Sequence, residues 1–269
     1  MNSLCYPRMI VNNQRGLMLF SMIVTAAIQF IIIWLIKTID YEPIMASIME
    51  QLPTFFRLFF EEELINRFSA RGGAAFGFNH PIVLSLLAIN AIIISARHIA
   101  GEIEKGTLEL LLAYPVKRTK LLMSLWVSGS MILLLIIAAA GVSSIAAVAI
   151  YHDLTNDIFI SLLKIVGNLW LFFILIMSFT LVISTFSKEA GKAGLLSAAA
   201  LLIFYFLHFI SRIWEAIGFI KPLNIFTYYQ PQKMMFGERS FALHLAVLST
   251  LIVICVIISI KQINRRDIP

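Results

Sequence analysis

Residues 121–151 read LLMSLWVSGSMILLLIIAAAGVSSIAAVAIY and contain no Lys, Arg, Asp or Glu. A helix needs about 20 predominantly apolar residues to cross the hydrocarbon core of a bilayer. This stretch exceeds that length, and a helix that is apolar on every side has to be buried in a large core or in a membrane. It therefore predicts a membrane-spanning helix.

Five further apolar stretches without Lys, Arg, Asp or Glu lie on either side of it, at residues 16–36, 81–96, 165–187, 193–211 and 240–260. With a few flanking residues added, the predicted spans cover about residues 16–36, 81–100, 121–151, 160–187, 190–211 and 240–260. The eight Pro residues fall outside the span interiors or at their edges, where helices begin and end. We expect an all-α, polytopic membrane protein with six transmembrane helices, whose residues 1–269 form a single transmembrane domain.

The composition agrees with this class. Hydrophobic residues make up 60% of the 269 residues and charged residues only 13%, whereas about 25% is usual for soluble domains. The two Cys residues offer no disulfide framework, and the five His residues include no pair at the spacing of metal ligands.

The distribution of charge predicts the orientation of the chain. If the N-terminus is cytoplasmic, the inner segments are 1–15, 97–120, 188–192 and 261–269. The outer segments are then 37–80, 152–158 and 212–239. The inner segments carry 12 Lys and Arg against 5 Asp and Glu, and the outer segments carry 8 against 10. Because Lys and Arg are enriched in cytoplasmic loops, both termini are predicted to be cytoplasmic, and the net charge of +6 requires no nucleic-acid partner.

The two long outer segments are rich in aromatic residues. Leu52-Pro53 is followed by a cluster of Phe in the first, and Trp214, Tyr228 and Tyr229 lie in the second. Aromatic side chains favour the headgroup region of a bilayer. We therefore expect short interfacial or re-entrant helices between spans one and two and between spans five and six.

The insert between spans two and three, residues 102–115, reads EIEKGTLELLLAYP. At 3.6 residues per turn, a helix over 102–114 places Glu102, Lys105 and Glu109 on one face and apolar residues on the other. Pro115 ends that helix. The pattern predicts a short amphipathic helix at the cytoplasmic ends of the two spans, either a plain interfacial loop helix or an element that receives a soluble partner.

The insert resembles the signature of ABC-2 type transporter permeases. In that family an acidic-x-acidic-x-Gly-Thr segment precedes a Leu-rich run and Pro-x-x-Arg, and the matching residues here are Glu102, Glu104, Gly106, Thr107, Pro115 and Arg118. The sequence departs from the family at Lys105, where many members carry an acidic residue. Leu52-Pro53 and the ending Asn264-Arg-Arg-Asp267 are similar to further family features, so the resemblance extends over essentially the whole chain.

The resemblance implies an export permease in the plasma membrane of a prokaryote, working as a dimer with a second copy or a homologous permease. The chain would bind no cofactor and would not be an enzyme, since ATP and Mg²⁺ would be held by two copies of a separate ABC ATP-binding subunit. The insert would be the coupling helix that contacts this subunit through Glu102, Glu104, Lys105, Gly106, Thr107, Leu108, Glu109, Pro115 and Arg118. Charge reversal at Glu102 or Glu104 is then expected to impair assembly or transport.

Two rows of small residues are candidates for close helix packing. They are Ala139, Ser143 and Ala147 in span three and Ala190, Gly194 and Ala198 in span five. Either row could face its own bundle or a second copy. His208, inside span five, could likewise be a packed core residue or line a transport pathway.

Two other classes of protein stay open, a membrane-embedded enzyme or scaffold and a stand-alone channel or secondary transporter. The sequence carries no Gly-x-Ser-x-Gly or His-Glu-x-x-His motif, which weakens the case for a hydrolase. Channels and secondary transporters usually place ionisable residues or broken helices within their spans. The charge-free spans favour a permease and suit an amphiphilic cargo better than a bare ion.

Overall fold

The computed structural model describes residues 5–39, 47, 69–107, 117–237 and 241–266. Within these ranges every regular element is a helix, and six helices are long and apolar enough to cross a membrane. The predicted all-α fold with six spans is thereby confirmed. Most of the first predicted outer segment, including Leu52-Pro53, lies outside the described residues.

The described ranges contain several helices. In chain order they are α1 (Cys5–Thr38), α2 (Ala70–Phe78), α3 (Pro81–Ser95), a π-helical turn (Ala96–Ala100), α4 (Gly101–Glu104), α5 (Arg118–Tyr151), α6 (Asn156–Phe186), α7 (Ala190–Ile213), two 3₁₀ helices (Glu215–Leu223 and Ile225–Tyr228), α8 (Pro231–Met235) and α9 (Phe241–Arg265). The spans are α1, α3 with its flanking turns, α5, α6, α7 and α9.

The first helix, α1, is longer than the span that the sequence predicts. It begins at Cys5, whereas the prediction starts near residue 16 because Arg8 and Arg15 interrupt the apolar run. Both Arg side chains are exposed, while Gln14 beside them is buried. Long basic side chains reach polar surroundings from a helix that continues beneath them, so a charge near the end of a span does not mark the end of the helix.

Local sequence signals begin several of the helices. Ser69 Oγ accepts a hydrogen bond from the Gly72 N–H at 3.0 Å at the start of α2, and Thr155 Oγ1 accepts one from the Ile158 N–H at 3.4 Å at the start of α6. Such side chains satisfy N–H groups that have no partner within the helix. Pro81 occupies the start of α3, where its missing N–H costs nothing.

The centre of the bundle is α6, and α7 lies at its edge. In the most apolar stretch of α6, 67% of the residues are buried, against 11% in α7. α6 packs against α3, α5 and α9, and α5 also packs along α1. The little-covered helices α1, α7 and α9 present apolar side chains outward, as a lipid-facing surface requires.

Inside the bundle, small and polar residues let the spans approach each other. A Cβ placed on Gly129 of α5 would lie 2.6 Å from Met177 Sδ on α6 and 2.8 Å from Ile94 Cγ2 on α3. Asn90 Nδ2 of α3 donates a hydrogen bond to Ser21 Oγ of α1 at 2.8 Å. Close backbone approach at small residues and interhelical hydrogen bonds are the usual means of helix association in lipid.

The segment between α7 and α9 consists of short helices that dock on the bundle, as predicted. Asn224 is buried, with its Nδ2 donating to the Phe204 carbonyl at 2.7 Å and its Oδ1 accepting from the Phe226 N–H at 3.0 Å. The Tyr229 hydroxyl donates to the Phe78 carbonyl at 2.9 Å, and burial raises the pKa of Tyr229 well above its ordinary value. The depth of this segment in the membrane stays a prediction.

Candidate functional site

An irregular continuation of α3 precedes the insert. The π-helical turn Ala96–Ala100 joins α3 to α4, and the Tyr6 hydroxyl of α1 donates a hydrogen bond to the His98 carbonyl of that turn at 3.3 Å. Single π-helical turns interrupt the regular hydrogen-bond ladder of an α-helix and are frequent at functional sites. Span two therefore changes its helical geometry directly before the segment for which the sequence predicts coupling.

The helix stops at Gly106 and does not run unbroken through 102–114. α4 ends at Glu104, and Gly106 has φ +67°, in the left-handed region that Gly favours. Its N–H donates to the Ile103 carbonyl at 3.1 Å, as in a glycine-terminated helix end. The prediction of one continuous helix is wrong at this point, because the sequence interpretation treated a helix-ending glycine as a slim helical position. Outside the described residues lie Leu108, Glu109 and Pro115.

Thr107 is tied back to the last turn before this stop. Its hydroxyl donates to the Glu102 carboxylate and also to the Glu102 carbonyl, the latter at 3.3 Å. Glu102 is half-buried, whereas Lys105 and Gly106 are exposed. The Gly-Thr pair therefore closes a helix end, and Lys105 is exposed in the described part of the insert.

Glu104 reaches across to the start of α7. Its Oε2 accepts a hydrogen bond from the Ala190 N–H at 2.9 Å. The first N–H groups of a helix have no partner within the helix, and a carboxylate there also interacts favourably with the helix dipole. Glu189, the N-cap residue of α7, forms no side-chain cap hydrogen bond. The insert therefore supplies a cap that α7 does not provide from its own N-cap residue.

Two arginines cap the C-terminal ends of other spans. Arg118, the first residue of α5, donates through Nη1 to the carbonyls of Ile263 and Arg266 at 3.0 and 2.6 Å, at the end of α9. Arg266 donates through its own Nη1 to the carbonyls of Thr185 and Ser187, both at 2.7 Å, at the end of α6. Guanidinium groups suit these positions because the last carbonyls of a helix lack partners and carry partial negative charge. Burial lowers the pKa of the Arg266 guanidinium.

Together with the covalent chain between them, these bonds link several helix ends, and the residues that form them are here termed the helix-end ring. Its members are Glu104, Arg118, Thr185, Ser187, Ala190, Ile263 and Arg266. Glu104, at one end of the insert, is bonded to the start of α7. The α6–α7 connection is bonded to Arg266 at the end of α9. Arg118 joins the end of α9 to the start of α5, just beyond the other end of the insert. The polar groups of the ring serve to join helix ends, so the chemistry it offers is mechanical linkage rather than catalysis.

The structure brings together some of the predicted coupling residues and separates others. Glu102 and Thr107 bond to each other, while Glu104 and Arg118 bond to different helices within the ring. The sequence analysis did not single out Arg266, although this residue lies in the Asn264–Asp267 ending that supports the family resemblance. Its partner Ser187 is 79 residues away along the chain, and no local pattern indicates such a contact.

Both rows of small residues make contacts within their own chain. Ser143 Oγ donates to the Ala26 carbonyl of α1 at 2.7 Å. A Cβ on Gly101 would lie 3.4 Å from the Cβ of Ala190, so the α7 row begins against α4. The remaining members of the two rows are buried or half-buried: Ala139, Ala147, Gly194 and Ala198.

His208 packs against an aromatic ring of the docked segment. Its ring centroid lies 6.1 Å from that of Phe226, and the side chain is half-buried. In the part of the chain that the structure describes, no group of three His, Cys, Asp or Glu residues is placed to hold a metal ion. The histidines therefore offer no metal centre within that part.

Comparison with known protein families identifies the class of this chain. The family described as ABC-2 family transporter protein matches residues 9–259, which include the insert and nearly all of the six spans. No curated protein sequence matches the chain. The chain therefore belongs to the ABC-2 family of transporter proteins and is a multi-pass membrane component of an ABC transporter.

Proposed function

We propose that the chain is an export permease that works as a pair and is driven by two copies of a separate ATP-binding subunit. Family membership and the six apolar spans support the permease role. The observation that carries the coupling role is the exposed pair Lys105–Gly106 beside Glu104, which bonds to the start of α7. Just beyond the other end of the insert, Arg118 bonds to the end of α9. A protein bound to the exposed pair would be placed to move several spans.

The charged side chains around the helix-end ring support a cytoplasmic position for this end of the bundle. Exposed basic side chains come from several connections at this end of the bundle: Lys105, Lys117, Lys120, Lys188, Lys192 and Arg265. Lys and Arg concentrate on the cytoplasmic side of membrane proteins. ATP-binding subunits are soluble cytoplasmic proteins, so they would meet the permease on this side.

The insert is where ATP-driven motion would enter the permease. ATP and Mg²⁺ would be bound by the partner, and this chain would supply the docking surface and the transport pathway. Closure of two ATP-binding subunits would displace the insert together with α3 and α5, and rigid helices convert such a displacement into a change of access. The charge-free spans suit an amphiphilic cargo.

Affinity purification from the native membrane tests this function. We expect an ATP-binding subunit to co-purify with the tagged chain, and we expect Lys105→Glu to lower its recovery several-fold without loss of membrane insertion. Lys105 is the informative position because it is exposed. Reversing the charge of Glu102 or Glu104 would also break hydrogen bonds within the chain.

The matched control is Lys37→Glu, an exposed lysine in the last turn of α1 at the opposite end of that helix from Tyr6. It should leave recovery of the ATP-binding subunit unchanged. Wild-type recovery with Lys105→Glu would contradict docking at Lys105. Transport by the purified chain without any ATP-binding subunit would instead support a stand-alone channel or secondary transporter.

A further inference from the structure

We propose that Glu104, Arg118 and Arg266 are positioning residues that transmit movement of the insert to α7, α9 and α6. The inference rests on the proposed function, because it assumes that an ATP-binding subunit displaces the insert. It extends that function by naming the path of the displacement. The path includes three spans that the insert does not connect in the sequence.

The covalent chain alone would pass movement of the insert to α3 and α5 only. The hydrogen bond of 2.9 Å between Glu104 Oε2 and the Ala190 N–H adds the start of α7. Just beyond the other end of the insert, Arg118 at the start of α5 adds α9 through bonds of 3.0 and 2.6 Å to the carbonyls of Ile263 and Arg266. Residues at or beside both ends of the insert are thus attached to spans beyond their own.

Arg266 closes the ring between α9 and α6. Its guanidinium donates to the carbonyls of Thr185 and Ser187 at 2.7 Å, and the chain from Ser187 leads directly to Ala190, the residue that Glu104 holds. The side chains that form the ring are a carboxylate and two guanidinium groups, and hydrogen bonds made by such groups are shorter and stronger than neutral ones. A displacement of the insert therefore reaches the ends of α3, α5, α6, α7 and α9 together.

The ring differs from ordinary helix capping in the origin of its caps. A usual cap comes from a residue next to the helix end in the sequence. Here the donors and acceptors are separated by 86 residues for Glu104, by 145 for Arg118 and by 81 for Arg266. Each cap therefore fixes the position of one span relative to another, which a local cap does not do.

Distance measurements between spin labels on the assembled complex test the link from Glu104. After Cys5→Ser and Cys255→Ser, labels are attached at Arg97→Cys and Lys192→Cys, both exposed positions, on the π-helical turn and on α7. The complex of permease and ATP-binding subunit is compared without nucleotide and after trapping with ATP and vanadate. With Glu104 intact we expect one narrow distance distribution that is unchanged by trapping.

Glu104→Ala should broaden and shift this distribution on trapping, because α7 no longer follows the insert. Glu104→Gln should restore the wild-type distribution, since its amide oxygen still accepts from the Ala190 N–H. Glu189→Ala is the matched control, an exposed carboxylate at the same helix end that makes no cap hydrogen bond. A wild-type distribution for Glu104→Ala in both states would overturn the proposed link, as would failure of Glu104→Gln to restore it.

A second pair of labels tests the link from Arg266. Lys188→Cys and Lys261→Cys report the distance between the α6–α7 connection and α9, and both positions are exposed. Arg266→Ala should separate the two labels on trapping, whereas Arg265→Ala, a change at an exposed neighbour, should not. Identical distributions for the two variants would overturn the role of Arg266. If the unsubstituted chain binds no ATP-binding subunit, the proposed function fails first and this inference falls with it.

Discussion

The missing side chain at Gly129 determines how closely α3, α5 and α6 can pack. A methyl group there would lie within 2.8 Å of both Met177 and Ile94, so at least one of these side chains would have to move. We expect Gly129→Ala to lower the free energy of unfolding by about 1–3 kcal/mol, as overpacking of a core does. Thermal unfolding of the purified protein in detergent measures this loss, and Gly129→Val should increase it.

Gly16 provides the matched control for the effect of glycine itself. It lies in α1, and the part of the chain that the structure describes brings no side chain or neighbouring helix within 4 Å of an added Cβ. Gly16→Ala should leave the midpoint of thermal unfolding unchanged or slightly raised, because Ala is the better helix former. Equal destabilisation at both positions would show that helix packing at Gly129 is not the cause.

Asn90 joins α3 to α1 by a hydrogen bond that a single substitution can remove. Its Nδ2 donates to Ser21 Oγ and to the Leu86 carbonyl, both at 2.8 Å. We expect Ser21→Ala to lower the free energy of unfolding by only about 0.6 kcal/mol, because Asn90 keeps its second acceptor and interhelical hydrogen bonds in membranes are weak on average. Unfolding in mixed micelles gives the value. A loss above about 2 kcal/mol would mean that the buried amide is left unsatisfied.

At the scale of elements, the stop at Gly106 fixes where α4 ends and where the insert turns. Among the described residues that do not adjoin Gly106, no atom lies within 4 Å of an added Cβ, and the positive φ opposes a side chain. We expect Gly106→Ala to destabilise this turn by about 1–2 kcal/mol, the cost of a left-handed conformation. Hydrogen exchange of the Lys105 and Gly106 amides should accelerate accordingly. Gly106→Asn should have a smaller effect, since Asn tolerates that region better, and equal exchange in all three proteins would contradict the argument.

The existence of the six spans could be predicted from the sequence, because a charge-free apolar run has one stable environment. Their ends were less predictable. The first turns of α1 were not predicted, because Arg8 and Arg15 interrupt the apolar run there. A charged side chain can leave the apolar region while its backbone stays helical. At Gly106 the sequence is misleading in the opposite direction. The helical spacing of polar and apolar side chains continues across this residue, although the backbone leaves the helical conformation there.

The helix-end ring could not be predicted, because its bonds join residues that are close only in the folded bundle. The sequence analysis selected Glu104 and Arg118 as contacts for another protein, and the structure bonds both within the chain. A polar residue beside a span has the same appearance in the sequence whether it caps a neighbouring helix or binds a partner. The family signature identified the right positions without indicating which of these tasks they perform.

At the scale of the whole molecule, the distribution of polar contacts is uneven along the bundle. The ring joins span ends by charge-assisted bonds at one end, whereas at the other end the segment between α7 and α9 docks through Asn224, Tyr229 and aromatic stacking. The stack of Phe172 and Tyr229 has ring centroids 5.1 Å apart. Among the described residues, exposed Lys and Arg side chains are more numerous at the end that holds the ring than at the other end, which is the polarity expected for a protein with a cytoplasmic and an outer face.

This polarity leads to a prediction for the orientation of the chain. In a protein with Cys5→Ser and Cys255→Ser, a membrane-impermeant maleimide applied to intact cells should label Asp153→Cys but not Lys192→Cys. Both positions are exposed. Asp153 lies just before the start of α6, and Lys192 lies in the first turn of α7, just after the end of α6. After permeabilisation both should react, which controls for accessibility. Labelling of Lys192→Cys in intact cells would place the insert outside the cell, where no ATP-binding subunit could reach it, and would refute the proposed coupling.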